Sequence, residues 1–272
     1  MSRAFLLFAH TLRRTRTLII ATGGLLALFQ VVMILVARSI QQNGTFEQLG
    51  ALLPPFLREL LGPSFTAFLS FAGIVSVGYF HLAVMGAVIA LSIALATLPA
   101  SEIETGFLEL LMSRPVPRHW IVTRTIAVTV LATVLVLGAM VGATWTTLQT
   151  MAPRSAVWPS LNLILSLAGN LGLLMLCWAG LAMAIGCASR RRGIAAGSAG
   201  WLALMAFLLD YVGRLWQPVE AVAWLSPFRY YSPLEMVMGA SLPGKDVAVL
   251  GITAIAGFAA AYVLFARRDL QR

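Results

Sequence analysis

The chain has 272 residues, of which 60% are hydrophobic and 11% are charged, and its formal net charge is +9. Soluble globular domains carry about 25% charged residues, so this composition excludes a soluble domain and indicates that lipid surrounds most of the chain. The Lys and Arg residues lie in short clusters between apolar runs. This distribution excludes a nucleic-acid-binding patch and is typical of the segments between membrane spans.

The first 16 residues mix four arginines with leucine and phenylalanine, a pattern typical of an amphipathic helix in the membrane interface. A basic start before an apolar run also occurs in signal peptides. However, the apolar run at residues 18–37 has about 20 residues, which is the length of a membrane span. We therefore predict a short interfacial helix followed by the first transmembrane helix.

Five further apolar runs of span length follow, at residues 65–98, 121–148, 159–188, 194–216 and 247–266. The second run is longer than one crossing requires, and Gly73, Gly78 and Gly86 would allow it to bend. Residues 1–272 are therefore predicted to form a single all-α membrane domain with six transmembrane helices.

The distribution of basic residues predicts the orientation of these spans. If both termini are cytoplasmic, the inner segments hold thirteen of the Lys and Arg residues and the outer segments hold six. Inner loops of membrane proteins are enriched in these residues. The segment between the second and third spans is thereby predicted to lie in the cytoplasm.

This inner segment, residues 101–118, reads SEIETGFLELLMSRPVPR and is the most charged stretch of the chain's interior. Ser101 and Glu104 have the spacing of a helix capping box, and Pro115 and Pro117 would end the helix. The apolar residues between them recur at helical spacing: Ile103, Phe107, Leu110 and Leu111. We therefore predict a short amphipathic helix that begins at Ser101.

Residues 239–246, GASLPGKD, differ by one residue from the phosphate-binding pattern GxxxxGK[ST]. Asp246 stands where the pattern needs a hydroxyl group for magnesium, and no strand precedes the segment. We predict a loop that opens the sixth span, and no ATP site on this chain.

Two titratable residues inside the apolar runs, His81 and Asp210, require an explanation. An intramembrane acid indicates function by default, but Asp210 lies four residues before Arg214, so the two can pair on one helix face. We favour pairing for Asp210, and packing with a backbone hydrogen bond for His81.

Cys177 and Cys187 would lie about 15 Å apart on one helix, too far for a disulfide. No His, Cys and carboxylate set has metal-ligand spacing.

The fifth run begins with small residues, among them Gly193, Gly197 and Gly200. Small residues on one face let transmembrane helices pack closely. This face is predicted to pack against another helix, either within the subunit or across a dimer.

The outer segment 224–238, WLSPFRYYSPLEMVM, mixes aromatic residues with two prolines. It fits either an interfacial aromatic belt or a pair of short re-entrant helices on the exit side of a transport path. The residues that would then lie on the exit side are Pro227, Phe228, Arg229 and Tyr230.

The pattern E-x-E-x-G-x-x-E-L-L-x-S-R-P-V-x-R from Glu102 to Arg118, after the second of six spans, resembles that of bacterial ABC-2-type exporter permeases. These are the membrane subunits of ATP-binding-cassette exporters. The segment LSPFRYYSP (225–233) and the basic amphipathic N-terminus are also similar to theirs. Members often have Gly-Lys where this chain has Thr123-Arg124, a departure that keeps the charge.

The resemblance implies that residues 101–118 form a coupling helix, which docks in a groove of a separate ATPase subunit. The residues that would couple to the ATPase are Glu102, Glu104, Gly106, Phe107, Glu109, Arg114, Pro115 and Arg118. It further implies two ATPase copies, a second permease copy, and a multi-pass location in the bacterial cytoplasmic membrane. The chain itself would be no enzyme and would hold no cofactor, because the partner subunit binds ATP and magnesium.

The expected activity is export of a hydrophobic or amphipathic substrate such as a lipid, drug or antibiotic, because the spans hold few charges. Some relatives serve the maturation of copper enzymes, which leaves a different cargo open. An ATP-independent carrier or a membrane scaffold is the alternative from another class. A proton-driven carrier would need several acids or histidines deep in its spans.

Overall fold

The structure is a computed structural model that describes residues 3–43, 70–107, 117 and 119–267. Every regular element within these ranges is helical. Among the described helices, six are long and apolar enough to cross a membrane, one for each predicted run. The first five residues of the predicted second span, 65–69, lie outside the described residues.

The described helices are named here in chain order. The bounds are α1 Arg3–Gln42, α2 Phe71–Phe80, α3 Leu82–Ala96, α4 Leu98–Glu104, α5 His119–Met151, α6 Leu161–Ala188, α7 Arg192–Leu215, α8 Gln217–Ala223, a 3-10 helix Pro227–Tyr230, α9 Pro233–Val237 and α10 Gly244–Ala266. Helices α2 and α3 together form the second span. Spans one and three to six are α1, α5, α6, α7 and α10.

Helix α1 is a single helix of 40 residues, and not the separate interfacial helix and span that we predicted. At 1.5 Å per residue it is about 60 Å long, roughly twice the thickness of a hydrocarbon core. No proline interrupts Arg3–Gln42. Thr11 and Thr15 lie buried on its inner face, where their hydroxyls donate to the carbonyls of Leu7 and Thr11. The basic N-terminal residues therefore continue the axis of the first span.

The second span is broken at His81, and not at any of the three glycines that we expected to bend it. His81 has an extended backbone (φ −59°, ψ 137°) that ends α2 and begins α3. The Ala83 N–H donates to His81 Nδ1 at 3.2 Å, and the Tyr231 hydroxyl donates to the Tyr79 carbonyl at 3.1 Å. A broken helix at membrane depth is tolerated where such groups replace the lost backbone bonds.

Helix α6 lies at the centre of the bundle, and most of its apolar residues are buried. Helix α10 packs along α6, and α1 packs along α5. At the α6–α10 crossing, a Cβ added to Gly180 would lie 2.6 Å from the carbonyl oxygen of Ala254, and Gly257 of α10 abuts Gly180 itself. These two glycines therefore allow the backbones to touch, as small residues do in membrane helix pairs.

The segment between α7 and α10 forms three short helical elements held by aromatic packing. The Phe228 ring lies 5.6 Å from the Trp178 ring of α6 and 5.5 Å from the Phe207 ring of α7, between ring centroids. Both Phe228 and Tyr231 are buried. Phe228 and Tyr231 thus face the bundle while Trp224 is exposed, so the aromatic belt and the re-entrant helices both stay predictions.

Candidate coupling site at the arginine-rich end

One end of the bundle, here called the arginine-rich end, is where α1, α5 and α7 begin and where α3 and α6 end. Its described arginines are Arg13, Arg14, Arg16, Arg124, Arg190, Arg191, Arg192 and Arg267. Helix α4 lies at this end, immediately after the second span. The coupling segment that we predicted at residues 101–118 therefore starts among the arginines.

Helix α4 begins at Leu98 and not at Ser101, so the predicted capping box is wrong. Pro99 occupies the first turn. The N–H groups of the first turn have no intrahelical acceptor, so a proline there costs no hydrogen bond. Ser101 lies inside the helix, with its N–H donating to the Thr97 carbonyl at 3.3 Å. Glu104 is the last helical residue and bonds to a different helix instead of reaching back.

The chain turns sharply after α4. The Gly106 N–H donates to the carbonyl of Ile103 at 3.1 Å, and Gly106 has φ +69°. This left-handed conformation favours glycine, which ends many helices in this way. Phe107 follows, half-buried, with its ring 6.0 Å from the His10 ring of α1. The chain thus changes direction at Gly106.

Glu102 forms a buried ion pair with Arg124 of α5. Each residue is 3% exposed, so Glu102 faces the bundle and offers no surface to another protein. Burial raises the pKa of the Glu102 carboxyl, and the nearby Arg124 and Arg14 guanidinium groups oppose that rise. Arg124 Nε and Nη1 have no hydrogen-bond partner among the described residues. The pair therefore depends on the direct contact between carboxylate and guanidinium.

Two further polar contacts attach the segment to other spans. Arg14 Nη2 of α1 donates to Ser101 Oγ at 3.3 Å. The Arg192 N–H, at the start of α7, donates to Glu104 Oε2 at 2.8 Å, where a carboxylate also suits the helix dipole. Arg192 Nη2 in turn donates to the Ala94 carbonyl near the end of α3 at 3.2 Å. Residues 101–104 are thus tied to α1, α5 and α7 together.

The predicted coupling residues divide into three groups. Glu102 points inward, while Glu104 is exposed and Gly106 and Phe107 are half-buried. The remaining four lie outside the described residues: Glu109, Arg114, Pro115 and Arg118. Sequence reasoning missed the roles of Arg14 and Arg124 as anchors. An arginine six residues into a membrane helix is the signal that could have identified Arg124, because such a charge needs a partner.

The remaining predicted sites lie elsewhere in the bundle. Arg214 Nε and Asp210 Oδ2 are 2.9 Å apart, which confirms the predicted pair. His81 accepts a backbone hydrogen bond, as predicted. Cys177 and Cys187 are both buried, and no disulfide joins them. No group of three potential metal ligands occurs in the part of the chain that the structure describes.

The three glycines of the predicted small-residue face of α7 have no packing partner within the described chain. A Cβ added to Gly193, Gly197 or Gly200 would meet no atom within 4 Å. On the opposite side of α7, Ala195, Ala199 and Ala203 are buried. The glycine face therefore lies on the outside of the subunit.

At the other end of the bundle, the four predicted exit-side residues form the 3-10 helix. Pro227 opens it and Phe228 points into the core. Arg229 Nη2 lies 3.4 Å from Glu220 Oε1 at the surface, and the Tyr230 hydroxyl donates to the Trp224 carbonyl at 3.0 Å.

No family model, curated protein or solved structure matches this chain in the comparisons made. What the site can do therefore follows from its own geometry.

Proposed function

We propose that the chain is the permease subunit of an ATP-binding-cassette exporter, driven by a separate ATPase that docks on the segment after the second span. One observation carries this proposal: residues 101–104 are attached to three different spans by polar contacts. A force applied at the turn that follows reaches α1, α5 and α7 at once.

The geometry suits mechanical transmission because the attachments are short. The distance from Glu102 to Phe107 is five residues, with the turn at Gly106 between them. A rigid element passes a displacement to the helices it contacts, whereas a long flexible loop absorbs it. Glu102 would serve as an internal anchor, which changes its expected role from a docking contact. Docking would then rest on Glu104, Phe107 and Glu109.

The alternative from another class is an ATP-independent carrier. A proton relay needs unpaired acids or histidines within the spans. In the described spans, Asp210 is paired with Arg214 and His81 accepts a backbone hydrogen bond. The exporter proposal is favoured for this reason. Its cargo would be hydrophobic or amphipathic, and a role in copper-enzyme maturation is the variant within the same class.

The proposal requires residues 101–118 to lie in the cytoplasm, and cysteine labelling tests this directly. Thr105→Cys places a thiol on the exposed turn at the arginine-rich end, and Ala240→Cys places one at the exposed opposite end. The native Cys177 and Cys187 are buried. In intact cells, a membrane-impermeant maleimide should label Ala240→Cys and leave Thr105→Cys unlabelled until the cells are opened. Labelling of Thr105→Cys in intact cells would overturn the proposal.

The second test concerns the ATPase. Tagged chain purified from its own host after crosslinking should bring down a soluble subunit with the ATP-binding-cassette motifs. Glu109→Lys should weaken that association, while the exposed Glu235→Lys at the opposite end should not. If the purified chain transports its cargo without any nucleotide-hydrolysing subunit, the carrier alternative is correct.

A further inference from the structure

A groove lies between the second and fifth spans at the arginine-rich end. It has a volume of about 510 Å³ and opens to the outside of the subunit. Its lining residues are Ala90, Ile93, Ala94, Thr97, Arg192, Gly193 and Ala196. The walls are therefore almost entirely small and apolar, and one cation stands at the end of the groove.

The position of the groove limits what can fill it. Helix α3 ends at Ala96 and α7 begins at Arg192, so the groove runs from the charged end of the bundle into the apolar part of two spans. An empty groove would forfeit the dispersion contacts of its lining atoms. The bilayer supplies an occupant of the right form, which is a flexible acyl chain.

The charges at the end of the groove select the head group. Arg190, Arg191 and Arg192 are consecutive, and the first two are exposed. Arg192 uses one guanidinium nitrogen, Nη2, for the Ala94 carbonyl, and the guanidinium has further N–H donors. The carboxylate of Glu104 bonds to the Arg192 backbone N–H and opposes an anion there. Arg192 lines the groove and Arg190 and Arg191 directly precede it in the chain, so three arginines against one carboxylate make this end of the groove positive.

We infer that this groove binds one anionic phospholipid of the surrounding bilayer, with an acyl chain between α3 and α7 and its phosphate at Arg190, Arg191 and Arg192. Basic pockets between membrane helices bind anionic head groups in this way. The inference is independent of the proposed export function, because it concerns a resident lipid at the edge of the subunit. It assigns a role to the arginine cluster and to the open glycine face at Gly193.

Native mass spectrometry of the full-length chain in detergent tests the inference. The probes are palmitoyl-oleoyl phosphatidylglycerol, which is anionic, and the matched phosphatidylcholine, which has no net charge. The wild-type chain should retain one phosphatidylglycerol molecule with an affinity at least about tenfold above that for phosphatidylcholine. This expectation follows from a contribution of about fivefold for each arginine near an anionic surface. Equal retention of the two lipids would overturn the inference.

Two variants separate the head-group site from the groove. Arg190→Gln with Arg191→Gln removes two charges and keeps the contacts of Arg192, so the affinity for phosphatidylglycerol should fall about tenfold or more. Gly193→Leu fills the groove, since a Cβ at Gly193 meets no atom within 4 Å, and should abolish most of the retention of either lipid. Gly197→Leu is the matched control, because Gly197 is equally open and lies outside the groove lining.

The outcomes are distinct. If Gly193→Leu lowers lipid retention and Gly197→Leu leaves it unchanged, the groove is supported as the site of the acyl chain. Equal loss in both glycine variants, or no loss in either, would overturn it. Displacement of phosphatidylglycerol by inorganic phosphate alone would also overturn it, because the acyl chain would then contribute nothing. Size-exclusion profiles identify any variant that fails to fold, and the comparison of the two lipids on the wild-type chain stands without variants.

Discussion

Two segments connect spans in this molecule by different physical means. Residues 97–107 at the arginine-rich end are held by an ion pair and polar contacts to three spans. Residues 216–238 at the opposite end also make polar contacts to three spans, from Ser226, Tyr231 and Ser232, but here the buried rings of Phe228 and Tyr231 add aromatic packing. Polar contacts are directional and few, so they can exchange partners during a movement. Aromatic packing is spread over many atoms and fixes a position.

The comparison suggests which end moves and which end stays. A segment attached by single polar contacts can transmit a displacement and return. A segment whose aromatic ring is packed in the core resists displacement, because protein interiors are close-packed. If the chain is an exporter permease, the arginine-rich end is expected to be the mobile input and the aromatic end the fixed frame. Four substitutions at the two ends test this contrast, from the largest expected effect to the smallest.

Removal of Arg124 should have the largest effect. Arg124→Ala leaves the buried Glu102 carboxylate without its partner, which costs about 3–5 kcal/mol of stability when one member of a buried pair is removed. Thermal unfolding of the detergent-solubilised protein measures the loss. The double variant Glu102→Leu with Arg124→Met should recover most of the stability, because neither charge remains. A loss below about 1 kcal/mol in Arg124→Ala would show that the pair is exposed to water.

Phe228→Ala should have the next largest effect. It removes a ring that lies against Trp178 and Phe207, and truncating a buried phenylalanine costs about 3–5 kcal/mol. The same thermal unfolding measurement applies, with Phe228→Leu as the milder control. This loss should come without any change in labelling at Thr105→Cys, since the two ends are held separately. A changed labelling rate would mean that the aromatic end is coupled to the arginine-rich end.

Tyr231→Phe should cost about 1–2 kcal/mol. The substitution keeps the buried ring and removes only the hydroxyl that donates to the Tyr79 carbonyl beside the break at His81. Without this donor the buried Tyr79 carbonyl has no hydrogen bond to offset its loss of contact with water, which lowers the stability of the folded protein. Tyr230→Phe is the matched control, because its hydroxyl bonds to the Trp224 carbonyl at the exposed surface. If both variants unfold at the same temperature, the bond from Tyr231 contributes nothing to the broken span.

Arg229→Gln should have the smallest effect. Its partner Glu220 has a side chain that is 56% exposed, and the two charged atoms are 3.4 Å apart. Exposed ion pairs contribute about 0–1 kcal/mol. The unfolding temperature should stay close to that of the wild-type protein, and the small difference between the two should shrink at high salt concentration. A loss as large as that of Arg124→Ala would remove the distinction between the two ends.

The sequence predicted the gross architecture well because membrane helices obey a local rule. An apolar run of about 20 residues must form a helix in lipid, since its backbone has no other hydrogen-bond partners. The predicted runs at 121–148 and 159–188 accordingly correspond to His119–Met151 and Leu161–Ala188. The pair of Asp210 with Arg214 was also predictable, because both residues lie on one helix.

What the tertiary structure decided depends on residues far apart in the chain. The break at His81 is stabilised by Tyr231, which is 150 positions later, so no local pattern could reveal it. Glu102 faces inward because Arg124 of another span reaches it, and Ser101 fails as a cap because the helix already begins at Leu98. The apolar runs of the sequence determined the six helices of the described chain that are long and apolar enough to span a membrane. The contacts between helices determined which of its charges are anchors and which remain free for another molecule, because the energy of a buried charge is set by its partner and not by its place in the sequence.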